Sequence, residues 1–150
     1  MPLSPGDPAP DFSLTADDGS TVSLGDFTDV VVYFYPKAFT PGCTTESCDF
    51  RDHHATFQGQ GYDVIGISPD PADKLAEFRE EYDLPFPLLS DPDHAVAEAY
   101  GAWGVKKNYG REYEGIIRST FIVRDGTISD AMVNVRAKGH VERILGGMGD

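Results

Sequence analysis

Cysteine is scarce in this sequence of 150 residues: there are two, alongside one tryptophan and five lysines. Two thiols are too few for the disulfide framework of a small secreted domain, and in a reducing compartment they point to catalysis, redox chemistry or metal binding. No apolar run approaches the roughly 20 residues that span a bilayer, so no membrane partner is expected. The opening MPLSPGDPAPDF lacks the basic and apolar regions of a signal peptide, and a cytoplasmic protein is the expectation. Basic residues are few as well. The net charge is −13 and no basic block exceeds Lys106-Lys107, a field that repels phosphate backbones and argues against a nucleic-acid partner. Aspartates outnumber glutamates, 17 to 8, which fits either a high-salt adaptation or ordinary solubility charge.

What is present suits one packed domain over residues 1–150, since that length buries about two thirds of the surface of the unfolded chain. After a proline-rich lead over residues 1–10, residues 11–14 and 21–24 flank the turn Asp18-Gly19-Ser20 as a small hairpin. Residues 30–35 (VVVYFY) are continuously apolar, as in a strand covered on both faces. A helix from Thr40 to about Gly59 follows, then a strand over 62–68, a helix over 71–82 with Leu75, Phe78 and Tyr82 on one face, and an extended piece at 86–89. A short helix over 93–100 precedes VKKNYGREYE (105–114), polar and aperiodic enough to be an exposed loop. Strands over 116–123 and 128–135 meet at Asp125-Gly126, and a helix over 140–145 ends the pattern. Alternating strands and helices followed by an antiparallel pair predict an α/β layered fold with a mixed central sheet.

Both cysteines fall in TPGCTTESC, residues 40–48. Thr40 and Pro41 suit the cap and first-turn positions of a helix, the threonine accepting from an orphan amide. Cys43 then lies in the first turn, where unpaired amides and the positive end of the helix dipole favour thiolate over thiol. Five helical residues separate the Cα atoms of Cys43 and Cys48 by about 8.7 Å. A disulfide requires less than about 7 Å, so pairing them demands that the first turns unwind. Inert helix filler is the competing reading of Cys48. His53 and His54 follow on the same helix, but helical geometry scatters the two thiols and two imidazoles too widely for a zinc site.

PKAFTPGC (36–43) resembles the P-x-x-x-T-x-x-C motif of the peroxiredoxins, and residues 44–52 resemble the Q-type subgroup, also called bacterioferritin comigratory proteins. GDPAPDF (6–12), LPFPLLSD (84–91) and GIIRSTFI (115–122) are similar to further family segments, so the likeness covers nearly the whole chain. It implies a thioredoxin-like fold with mixed central sheet, flanking helices and an N-terminal β-hairpin extension. The implied activity is reduction of hydrogen peroxide and organic hydroperoxides without metal or organic cofactor. Carried over residue by residue, Cys43 is the peroxidatic nucleophile, Thr40 holds the peroxide, Pro36 shields the thiolate from water, and Arg118 supplies positive charge. Cys48 matches the resolving cysteine, which implies a Cys43-Cys48 disulfide re-reduced by thioredoxin or a similar dithiol protein. A monomer or weak homodimer is expected. Two departures bear on substrate preference and docking: the apolar pair Ala38-Phe39, and Leu75 where a basic residue or histidine is common.

Arg118 also stands out without the likeness. Apolar residues occupy both parities of 116–123, so that strand should be covered on both faces, and a covered guanidinium needs an anion. The Cys43 thiolate and one of the many carboxylates are both candidates. Glu46, one turn after Cys43, either orients Arg118 or lies exposed on the helix. Two other functions use similar parts: a thioredoxin-type disulfide oxidoreductase, against which stands the absence of C-x-x-C, and a redox sensor that changes a partner surface.

Overall fold

The computed structural model describes residues 3–108 and 110–148. Met1 and Pro2, the head of the expected proline-rich lead, lie outside them. β1 (Ser13–Ala16) and β2 (Thr21–Ser23) form the predicted hairpin, with Leu14 opposite Val22. The Asp18 carboxylate accepts from the Ser20 amide and hydroxyl to tie its turn.

β3 (Asp29–Phe34), β4 (Asp63–Ser68) and β5 (Leu88–Ser90) run parallel, whereas β8 (Ser119–Arg124) and β9 (Thr127–Val133) run antiparallel beside β3. With the hairpin they build one sheet in the order β2-β1-β5-β4-β3-β8-β9. The parity argument for β3 holds residue by residue. Val30, Val32 and Phe34 enter one core with Ile65, Ile67, Phe121 and Val123, while Val31, Tyr33 and Tyr35 enter a second on the opposite face. The second core also receives Cys43, Phe50, Phe57, Leu75 and Phe78 from α1 (Pro41–Asp52), α2 (His54–Gly59) and α3 (Ala72–Glu81), and Val141 and Ile144 from α5 (His140–Met148). α4 (Ala95–Ala99) supplies Ala97 to the first core.

One glycine matters for the placement of α1. A Cβ on Gly66 would come within 2.7 Å of the Tyr33 ring. Only glycine lets that ring lie flat across β4, where its hydroxyl meets Ser47 Oγ at 2.9 Å and its face stacks on Phe50 at 4.5 Å.

Three expectations are corrected. The helix expected over 40–59 breaks at His53 (φ −105°, ψ 7°) into α1 and α2, where Asp52, His53 and His54 in succession are mediocre helix formers. The loop expected over 105–114 is instead, in its described residues, part of an antiparallel ribbon, β6 (Trp103–Asn108) and β7 (Arg111–Ile116), with Tyr109 lying outside them. Its exposed residues lack the apolar alternation that marks a half-buried strand. Trp103 anchors it by stacking on His94 at 3.7 Å and donating to Glu114. The strand expected over 116–123 is two elements. β7 ends at Ile116 and β8 begins at Ser119, so Arg118 sits in the crossing between ribbon and sheet rather than inside a covered strand.

Candidate active site

β3 and β8 pair so that Phe34 faces Ser119. That register sets Arg118 beside the end of β3, from which residues 35–40 lead into α1. Pro41 occupies the first helical position and Cys43 the first turn, with the Thr44 amide closing the first bond onto the Thr40 carbonyl. Thr40 stands at the cap position, but its hydroxyl donates to the Lys37 carbonyl at 2.7 Å, so it orients the preceding loop and leaves the helix amides uncapped by its side chain. The amides of Gly42 and Cys43 lie in the turn where helical geometry supplies no acceptor.

Cys43 is buried, and Arg118 Nη2 donates to its Sγ at 3.2 Å. Of the two anions open to Arg118, the structure engages both. Nη1 donates to Glu46 Oε1 at 2.5 Å, and Glu46 is wholly buried rather than exposed on the helix. Burial pushes the Glu46 carboxyl up to about 7 despite the opposing guanidinium. For Arg118 the balance reverses: burial works against its charge, but Glu46 and Cys43 outweigh it and hold the pKa up. The pair therefore takes up its proton on the carboxyl, because a guanidinium does not release one.

A cavity of about 490 Å³ lies against this cluster, lined by Pro36, Arg118, Lys106, Asn134 and the side chains of valines and Ile117. Pro36 is thus placed at its wall. Cys48 is on α1 with Cys43, both thiols are free, and burial above all raises the Cys48 pKa, opposed by Arg51. His53 and His54 are half-buried, and the described residues hold no group of three or more His, Cys, Asp or Glu arranged for a metal ion. Of the two departures, Leu75 is core, and Phe39 packs its ring on Phe78 at 5.1 Å with the Lys74 ammonium 5.0 Å over its face.

Sequence reasoning missed Asp70. Its carboxylate accepts from the Ala38 amide at 2.8 Å and the Ser68 hydroxyl at 2.9 Å, and its carbonyl accepts from Ser90. It brackets a loop in which Phe39 holds a left-handed φ of 67°. Lys106 on the cavity wall was missed for a different reason: the ribbon that carries it was read as loop.

Residues 5–131 match the AhpC/TSA family. A putative peroxiredoxin of Mycobacterium tuberculosis is 54% identical over 95% of this chain and 92% of its own, and peroxiredoxin Bcp of Bacillus subtilis is 47% identical over 97% and 94%. Among solved structures, a cysteine-to-serine variant of peroxiredoxin Q from Xylella fastidiosa superposes with a TM-score of 0.92 at 29% identity, covering 99% of this chain and 97% of that one. The bacterioferritin comigratory protein of Xanthomonas campestris superposes with a TM-score of 0.86 at 33% identity over 92% and 90%. A mixed sheet with flanking helices, a cysteine at a helix start and likeness along nearly the whole chain agree: this protein belongs to the AhpC/TSA family as a Q-type, or Bcp, peroxiredoxin, a thiol-dependent peroxidase.

Proposed function

We propose that Cys43 is the peroxidatic nucleophile and Cys48 its resolving partner, acting on hydrogen peroxide and organic hydroperoxides. The observation that carries this is the Arg118 guanidinium 3.2 Å from Cys43 Sγ at the start of α1, braced from behind by Glu46. Sulfur attacks one peroxide oxygen, an S–O bond forms as the O–O bond breaks, and the sulfur loses two electrons to give a sulfenate. A lowered thiol pKa alone does not accelerate this, because intrinsic nucleophilicity falls with it. The site must stabilise charge that develops on both peroxide oxygens. Arg118 and the Gly42 and Cys43 amides supply donors there, and the Thr40 oxygen keeps lone pairs to accept from the peroxide O–H, its own proton being committed to Lys37. Pro36 walls the thiolate from bulk water.

Cys48 sulfur then attacks the sulfur of the protonated sulfenic acid, the S–O bond breaks, and the oxygen departs as water with the Cys48 proton, leaving a Cys43-Cys48 disulfide. With both residues on one intact helix, the step requires the first turns of α1 to unwind. Thioredoxin or a similar dithiol protein returns both thiols. We place this chemistry in the cytoplasm, with a monomer or weak homodimer as the working unit; among the described residues no helix is long and apolar enough to cross a membrane.

Intact mass after one equivalent of hydrogen peroxide tests the cycle. Loss of two hydrogens is expected for the parent, and gain of one oxygen for Cys48→Ser. Unchanged peroxide consumption by Cys43→Ser removes the assignment.

A further inference from the structure

Breaking the O–O bond creates a need that the residues above leave unmet. The departing hydroxide or alkoxide is strongly basic, and it leaves far more readily if it is protonated as it goes. Arg118 cannot serve, since a guanidinium does not give up a proton. The Thr40 proton is bonded to the Lys37 carbonyl. The Asn134 amide is not acidic. Glu46 is wholly buried and bound to Nη1 of the guanidinium, whereas Cys43 meets Nη2.

Lys106 remains. It lines the same cavity wall as Arg118, half-buried, at the position of β6 that pairs with Tyr113. Its stem runs over Gly115, where an added Cβ would lie 3.3 Å from Lys106 Cδ. In a chain with 25 acidic residues, this ammonium has neither an ion pair nor a hydrogen-bond partner among the described residues. Burial first, and Arg118 second, pull its pKa below that of a free lysine while Cys43 opposes them, so it is a stronger acid than usual and close enough to feel both groups.

We propose that Lys106 is the general acid of the peroxide step, donating an Nζ proton to the oxygen that leaves. The inference rests on Cys43 as nucleophile. As the S–O bond forms and the O–O bond breaks, the leaving oxygen takes the Lys106 proton and departs as water or alcohol, the sulfur keeps the attacked oxygen with its proton as a sulfenic acid, and ionisation of that acid to the sulfenate returns a proton to the neutral amine through solvent.

Leaving-group dependence tests this directly. Single-turnover oxidation of Cys43 is measured with hydrogen peroxide, tert-butyl hydroperoxide and peracetic acid, for the parent, Lys106→Met and Lys106→Arg. Peracetic acid expels a carboxylate, a weak base that needs no proton. Both variants should lose about a hundredfold on the first two oxidants and far less on peracetic acid. Lys106→Arg keeps the charge but cannot give up a proton, so a parent-like rate for it would reduce Lys106 to an electrostatic role and overturn the proposal. Equal losses on all three oxidants, or no loss on hydrogen peroxide, would do the same. A parent whose Cys43 is oxidised by none of the three removes the nucleophile reading instead, which keeps the two failures apart.

Discussion

Arg118 Nη1 donates to Glu46 Oε1 at 2.5 Å across 72 residues of sequence, and this contact joins a wholly buried carboxyl on α1 to the cation that reaches Cys43. It orients the guanidinium, but it does so with a carboxyl that burial makes reluctant to ionise.

That reluctance has a sign. The Glu46 pKa stands at about 7 in the folded protein against an ordinary 4.5, so its contribution to stability is full below pH 4.5 and is lost as pH rises through 7, worth about 3 kcal/mol at most. His140, buried with Nε2 2.7 Å from Thr120 Oγ1, has its pKa lowered to about 4, chiefly by burial. Its contribution is full above 6.5 and is lost as pH falls toward 4. The two oppose each other between pH 4.5 and 6.5. Glu46→Gln should therefore uncover a stability that climbs with pH over this window, where the parent is nearly level. Urea melts at pH 4.5, 5.5 and 6.5 check this, and parallel curves for parent and variant would contradict it.

Gly42 leaves room for the same guanidinium. A Cβ there would lie 3.1 Å from Arg118 Nη2 and 3.8 Å from Ala137 Cβ. Gly42→Ala should push the guanidinium off Cys43 and slow peroxide attack by up to about a hundredfold, the scale on which a 1 Å misplacement acts. Stopped-flow oxidation of Cys43 reads the rate, and a parent-like value would mean that the arginine tolerates displacement.

Resolution should leave a mark on α1. In the disulfide form, the amides of residues 41–48 should exchange with solvent faster than in the dithiol form, because the pair closes only after unwinding. Residues farther along the helix, held by Phe50 on Tyr33, should change less. Oxidised Cys48→Ser should keep the protection of the dithiol form. Equal protection in the parent before and after oxidation would rule out the unwinding step.

Asp70 holds the loop that carries Thr40 by accepting from the Ala38 amide, with Phe39 in a left-handed conformation next to it. Asp70→Ala leaves that amide without its acceptor and should cost about 1–3 kcal/mol of stability, together with a drop in peroxide rate. Asp70→Asn, which retains a carbonyl oxygen, should recover most of both. Thermal melts alongside peroxide kinetics check this, and an Asn variant as impaired as the Ala variant would mean that the charge, not the acceptor, matters.

How much of this was readable in advance follows from the range of each interaction. Both-face burial of β3 was legible because continuous apolarity from Val30 to Tyr35 is a local pattern. So were the hairpin at Asp18-Gly19 and the helix start before Cys43, which depend on turn and cap chemistry a few residues long. The ribbon of β6 and β7 was not, since its stability comes from Trp103 stacking on His94 rather than from its own periodicity. The Thr40 hydroxyl donates to the Lys37 carbonyl of the loop instead of accepting from a helix amide, a contact that the cap pattern alone does not encode.

The sequence by itself determined which groups are available, that Cys43 opens a helix, and that Cys48 stands too far along that helix to pair without unwinding. The tertiary structure alone decided that Arg118 and Glu46 meet at that helix start, that Lys106 lines the cavity beside Arg118, and that Asp70 pins the loop before it. The reason is the antiparallel register of β3 and β8, Phe34 against Ser119, which brings residues 72 and 75 positions apart within hydrogen-bond reach, a relation no local pattern encodes.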